Sequence, residues 1–214
     1  MIATVACILA LPDKLTVGQK WHYVQTWHFV GQGLDMTDEE NFDVEVAKVL
    51  TESVTLKITQ RLAASIIEGQ RIPTDPKVVP AIHQWALSPT GSIAFMPEGR
   101  YGLESRVYRV LKGILPEPKG DPPRATNWSL MFPDDGQGMP LAKLEAALLK
   151  PTKEGNQFSL SYREKNGTNG AGTFERTEKS PFPTHVEIHF TNTKMSGGTD
   201  IVNCDFAMNQ QPSK

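Results

Sequence analysis

The stretch from Tyr101 to Leu115, YGLESRVYRVLKGIL, is the one segment of this chain with clear helical periodicity, and it stands at mid-chain between segments that read as strands. At about 3.6 residues per turn, Leu103, Val107, Val110, Leu111, Ile114 and Leu115 share one broad face, with Ser105, Arg109 and Lys112 opposite. Such a helix has to lie on an apolar surface. Pro97 and Gly99 precede it, Lys112 suits the negative end of the helix dipole, and Pro116 and Pro118 prevent its continuation. Its length, roughly 22 Å, is enough to cross several strands. The pattern predicts a mainly β (α+β) fold: a single domain over 1–214, with a curved antiparallel sheet or half-barrel of two similar β halves and a covering helix at about 101–115.

Before the helix, Val17 to Phe29 is rich in aromatic and β-branched residues and reads as a strand. Trp21, Tyr23, Trp27 and Phe29 share one face, interrupted by Gln25, while His22, Val24, Thr26 and His28 share the other. The aromatic face is expected to be buried. Phe42, Val44 and Val46 alternate with Asp43 and Glu45, and a turn near Thr51 to Ser53 leads to Val54, Leu56 and Ile58, an antiparallel hairpin. Strands are also expected at Ala81 to Leu87 and Ser92 to Met96, with a turn at Ser88 to Gly91 between them. After the helix, the same signals mark Ser129 to Phe132, Gly172 to Thr177, Pro183 to Phe190 and Asp200 to Met208.

The two halves read as versions of one plan. Trp128 begins a hydrophobic stretch half a chain after Trp21. Leu144, Ala146 and Leu148 then match Phe42, Val44 and Val46, and Phe158, Leu160 and Tyr162 match Val54, Leu56 and Ile58. An internal duplication of 15–100 and 122–208 explains this, and so does a meander of similar strands. Leu141 to Lys150 is a point of conflict: propensity argues helix, with Pro140 at a first-turn position, whereas the repeat position argues strand, the reading adopted.

An apolar fraction of 39% can supply a core, and 22 basic against 24 acidic residues, with no basic block, argue against a nucleic-acid partner. Cys7 and Cys204 belong to no CxxC or Cys/His cluster; they could bridge in an oxidising compartment or remain two buried thiols. The uncharged residues 1–11 suit either a signal-peptide remnant, lacking its positive leader, or a buried first strand.

His185, Glu187 and His189 share one strand face, but neighbours on a face are about 6.7 Å apart and the outer pair about 13 Å, too far to hold one ion easily. A solvated polar face is the simpler reading, and no metal is expected. Asp134-Asp135-Gly136 lacks the further ligands of a calcium loop. With no GxSxG, P-loop, HExxH or GxGxxG, neither catalytic residues nor a cofactor are expected, and enzymatic activity has no positive support.

Gly18-Gln-Lys-Trp21, the strand meanders on either side of a covering helix, Leu115-Pro116 ahead of Trp128, and Gly170-x-Gly172-x-Phe174 together resemble uncharacterised bacterial envelope proteins, within the broad group similar to the LolA-like lipoprotein carriers. The resemblance spans Leu15 to Met208. It implies a strongly curved antiparallel sheet whose concave apolar face, covered by helix, takes a lipid or acyl chain, with a periplasmic or cell-envelope location and peripheral membrane association. The chain departs from the pattern in lacking a complete leader, and the carriers' basic and aromatic functional positions find no one-to-one match, so a cytoplasmic location stays open. The residues placed to line an apolar cavity are Trp21, Tyr23, Trp27, Val107, Leu111, Ile114 and Trp128. Two other classes remain: an interaction module using an exposed sheet face or edge, and an enzyme whose site is assembled from distant residues.

Overall fold

A computed structural model of the chain describes residues 15–31, 33–50, 53–87, 93–95, 103–114, 127–134, 140–153, 155–177, 182–194 and 201–212. Strands β1 (Lys20–Gly31), β2 (Leu34–Leu50), β3 (Ser53–Ile67), β4 (Gln70–Pro73), β5 (Ala81–Leu87) and β6 (Ile93–Phe95) precede helix α1 (Leu103–Ile114). Strands β7 (Asn127–Phe132), β8 (Ala142–Pro151), β9 (Gly155–Glu164), β10 (Asn169–Thr177), β11 (His185–Lys194) and β12 (Ile201–Gln210) follow it. The strands form one twelve-stranded sheet in the order β6-β5-β3-β2-β1-β12-β11-β10-β9-β8-β7, with β4 paired beside β3. Its pairings are antiparallel. The mainly β fold with one helix between two meanders is thus the observed one. Residues 1–14 with Cys7, the Ser88–Gly91 turn, Tyr101, Leu115 and the Asp135-Gly136 pair lie outside the described residues.

The first and last strands meet in the middle of the sheet, where Trp27 faces Phe206 and Phe29 faces Cys204. From this seam a cross-strand row runs through Trp27, Phe206, Ile188, Gly172, Leu160, Ala146 and Trp128, seven strands wide. Residues paired in register share a face, so this row marks the inner, apolar side. The outer side carries the polar alternates: His22 bonds Asp43, His28 bonds Asp35, and His189 bonds Asp205. His185 bonds Asn209 rather than converging with His189.

Leu141 to Lys150, where propensity and repeat position disagreed, is strand β8: Ala142, Leu144 and Ala146 are buried, and Lys143 and Glu145 between them are exposed. That period of two decides the matter, because a helix would place those three side chains around its circumference instead of on the core. Trp21, Val44 and Ile58 lie in one register row, as do Trp128, Ala146 and Leu160, and each ladder is interrupted just beyond, between Val46 and Lys48 and between Leu148 and Lys150. In this register Ile58 corresponds to Leu160, two residues from the match made on sequence alone, because alternation fixes the face but not the position along it.

The hairpin of β2 and β3 is much longer than its hydrophobic alternation suggested. Beyond Phe42 and Ile58 the inner face turns polar, with Glu40, Asp38, Gln60 and Ser65 in place of the valines and leucines. This polar stretch hid its strand character.

Candidate ligand site under the covering helix

Helix α1 lies on the inner face, with Val107, Val110, Leu111 and Ile114 all at 0% exposure. Its approach to β8 is close: a Cβ on Gly113 would come within 2.8 Å of Leu144. Polar contacts anchor its length. Arg106 donates to Glu164 at 2.8 Å, Arg109 donates to the carbonyls of Pro140 and Pro133, and Trp128 donates its indole N–H to Gly113. Tyr162 also donates to Glu164, at 2.8 Å. Burial, reinforced by the neighbouring Glu164 carboxylate, pushes the Tyr162 phenol pKa well up, so it stays a donor.

Leu111 reaches across to the opposite half of the sheet. Together with Tyr23, Phe42, Val44, Trp85, Phe182 and Met208 it lines a partly open apolar space of about 10 Å³. That volume is near the minimum for one water molecule. The sheet must curl for one side chain on a helix seated against β8 to line a common space with β1, β2 and β5.

Of the seven cavity residues expected from the sequence, Tyr23 and Leu111 border this space. Trp21 stands next to it, packed edge-on against Phe182 with ring centroids 4.8 Å apart. Val107 and Ile114 sit in the surrounding core. Trp27 belongs to a separate cluster with Phe206 and Phe29, and Trp128 to another with Phe158 and Phe174. The Arg176 guanidinium lies over the Trp128 and Phe174 rings at 5.8 and 5.5 Å. Phe42, Val44, Trp85 and Met208 fall in predicted strands, yet nothing in the sequence placed them around one point. Phe182, between two prolines, carried no strand signal at all.

A larger cavity, about 660 Å³, opens on the other side of the sheet over β7, β8 and β9. Asn127, Ser129, Glu145, Ala147, Ser159 and Ser161 line it with their outward side chains. Small residues on three adjacent strands leave this groove, and Glu145 folds away from Ala147 to pair with Lys143 at 2.7 Å.

The fold and the helix-covered inner face define a class, an open antiparallel sheet with an apolar concave side. No protein-family model matches the chain, and no curated protein matches it. Among solved structures it is similar to a lipovitellin chain, from a structure of lipid–protein interactions in lipovitellin, with a TM-score of 0.53 and 9% sequence identity. The match covers 93% of this chain and 26% of that one, so the chain spans about a quarter of the length of the lipovitellin chain it matches. At this identity the likeness is one of fold.

Proposed function

We propose that the protein binds a lipid or acyl chain against the inner face of its sheet, under α1, and that it does so without catalysis. The observation that carries this reading is the small space at Leu111, whose lining presents apolar surface only and draws on both halves of the sheet. The likeness of the sheet to that of lipovitellin, a protein studied for its lipid–protein interactions, supports it. Since the space holds about 10 Å³, a chain enters as α1 lifts and Leu111 withdraws. Each methylene then buried contributes about 0.8 kcal/mol, so roughly six of them offset a few kcal/mol of lost helix packing. The envelope location and peripheral membrane association that the sequence resemblance implies go with this reading, and subcellular fractionation tests them.

A fluorescent fatty-acid probe is expected to bind saturably. Leu111→Trp, which enlarges the side chain at the centre of the space, is expected to weaken binding while circular dichroism stays that of a folded β protein. Probe binding that is absent, or equal in the two proteins, removes the reading. The outer groove over β7 to β9 favours a second one, an interaction surface; Ser159→Arg would then abolish partner capture without affecting probe binding.

A further inference from the structure

The wall around the small space at Leu111 is apolar, but a hydrogen-bond acceptor stands at its border. Gln210 of β12 pairs in register with Tyr23 of β1, and Met208 is the next residue of β12 on the same face. Tyr23 and Met208 both line the space, as does Phe182, and each is at most 3% exposed. The Gln210 backbone N–H is taken, donating to the Thr184 carbonyl at 2.8 Å. The Thr184 hydroxyl is taken as well, donating to the Glu175 carbonyl at 3.5 Å. The side-chain oxygen of Gln210, Oε1, is buried, and it accepts no hydrogen bond from Tyr23 or from any other described residue.

A buried carbonyl oxygen without a donor costs free energy, and native proteins seldom leave that cost uncompensated. Water is a poor remedy beside this space. A buried water needs roughly two to four polar partners, and the lining next to Gln210 presents apolar surface only. The better remedy is a donor that brings its own apolar body, so that one molecule serves the amide oxygen and occupies the space beside it. Gln210 as a whole is half-buried and stands at the end of β12, so a head group bonded there stays near the surface while its tail points inward.

We propose that Gln210 receives the hydroxyl head of a neutral amphiphile of the long-chain alcohol class, a proposal that rests on the acyl-chain reading above for the ligand's tail. The hydroxyl donates to Gln210 Oε1, and the chain runs past Tyr23 and Met208 towards Leu111. A carboxylate head has no donor at neutral pH and sets its charge against a carbonyl oxygen. An ammonium head has donors, but a neutral amide does not offset the cost of taking its charge out of water. The hydroxyl meets the acceptor without either penalty.

The test is calorimetric titration at neutral pH with 1-octanol and with its isomer heptyl methyl ether, which has the same atoms but no O–H to donate. Octanol is expected to bind about tenfold more tightly than the ether. In Gln210→Met, which keeps the length of the side chain and removes the amide, that ratio falls to about one, with the ether bound no more weakly than before. A thermal melt of the free proteins adds a second readout: Gln210→Met is expected to melt no lower than the wild type, because no hydrogen bond of the amide oxygen is lost. A clearly lower melting temperature would show that the amide already has a partner in the free protein, and would overturn the proposal. Equal binding of the two isomers by the wild type, or a preference that survives in Gln210→Met, overturns it too and leaves the acyl-chain reading standing. If the preference for octanol depends on Gln210 but Leu111→Trp does not weaken binding, the head-group site stands and the reading of the tail falls. If neither isomer binds, both fall.

Discussion

Arg106 of α1 and Glu164 of β9 form an ion pair at 2.8 Å with side-chain exposures of 5% and 0%, the most deeply buried charge pair among the described residues. Its satisfaction is incomplete. Glu164 also accepts from Tyr162, but Arg106 Nε is buried without a partner among the described residues. Desolvation of two charges therefore sets a large cost against the attraction, and breaking the pair strands the survivor.

Arg106→Met or Glu164→Met alone is accordingly expected to lose about 3–5 kcal/mol in urea unfolding. The double Met variant should recover most of that loss and come within about 1 kcal/mol of the wild type or exceed it. A double variant that stays about as unstable as either single would show that the pair is a net stabiliser, and losses that add would show that the two residues are not coupled. Because α1 is the proposed cover, the double variant also separates cover stability from ligand affinity.

The covering helix, its apolar face and most strand positions were legible because each is written in local periodicity: Val107, Leu111 and Ile114 had to face an apolar surface. Arg106 was not legible in its role. It stands at the border of that face, and only the sheet supplies Glu164 to meet it, from a strand 58 residues further on. The candidate site was legible in its residue types but not in its assembly. Trp27 and Trp128 share one cross-strand row, yet they join different aromatic clusters, since alternation fixes which face a side chain takes and not how far the sheet curls. The inward acids of β2 went unread for a related reason: alternation of apolar with polar residues is the strand signal, and Asp38 and Glu40 remove it.

Alkaline pH should expose a second burial effect. Cys204 is a buried free thiol in the row Phe29, Cys204, Phe190, and burial first, then the Asp205 charge, raises its pKa. Tyr162 is raised likewise. In the unfolded chain the thiol loses its proton above about pH 8.5 and the phenol above about pH 10, while the native state keeps both protons. The native state then binds more protons than the unfolded state, so stability falls as pH rises through this range. Between pH 7.5 and 10 the wild type is expected to lose about 1–2 kcal/mol more than Cys204→Ala, measured by urea midpoints at each pH. Parallel pH profiles would assign the alkaline loss elsewhere.

His83 gives the opposite slope on the acid side. It lies in register with Ile58 on the inner face of β5, and partial burial lowers its pKa. The unfolded chain therefore takes up a proton near pH 6.5, before the folded state does, and stability declines as pH falls through that value. His83→Gln should flatten this part of the profile relative to the wild type. An unchanged difference in melting temperature between pH 7.5 and 5.5 would remove the assignment.

The glycines of β10 offer the sharpest test of the packing. Gly172 stands in the long row between Ile188 and Leu160, and a Cβ there would collide with the backbone carbonyl of Glu187 on β11. Two residues earlier on the same face, a Cβ on Gly170 would meet the Phe190 ring at 2.9 Å and Tyr162 Cβ at 3.4 Å. Backbone cannot yield without opening the ladder between β10 and β11, whereas an aromatic ring can shift by a few tenths of an ångström. Gly172→Ala is therefore expected to cost more than about 3 kcal/mol, and Gly170→Ala about 1–2 kcal/mol, partly returned by Phe190→Leu in the same chain. Equal losses, or a Gly170→Ala loss that Phe190→Leu does not reduce, would mean that the two strands approach less closely than these contacts require. Since this row carries the inner face from Trp27 to Trp128, a loosened β10 should also weaken fatty-acid probe binding in Gly170→Ala, and Phe190→Leu should restore it.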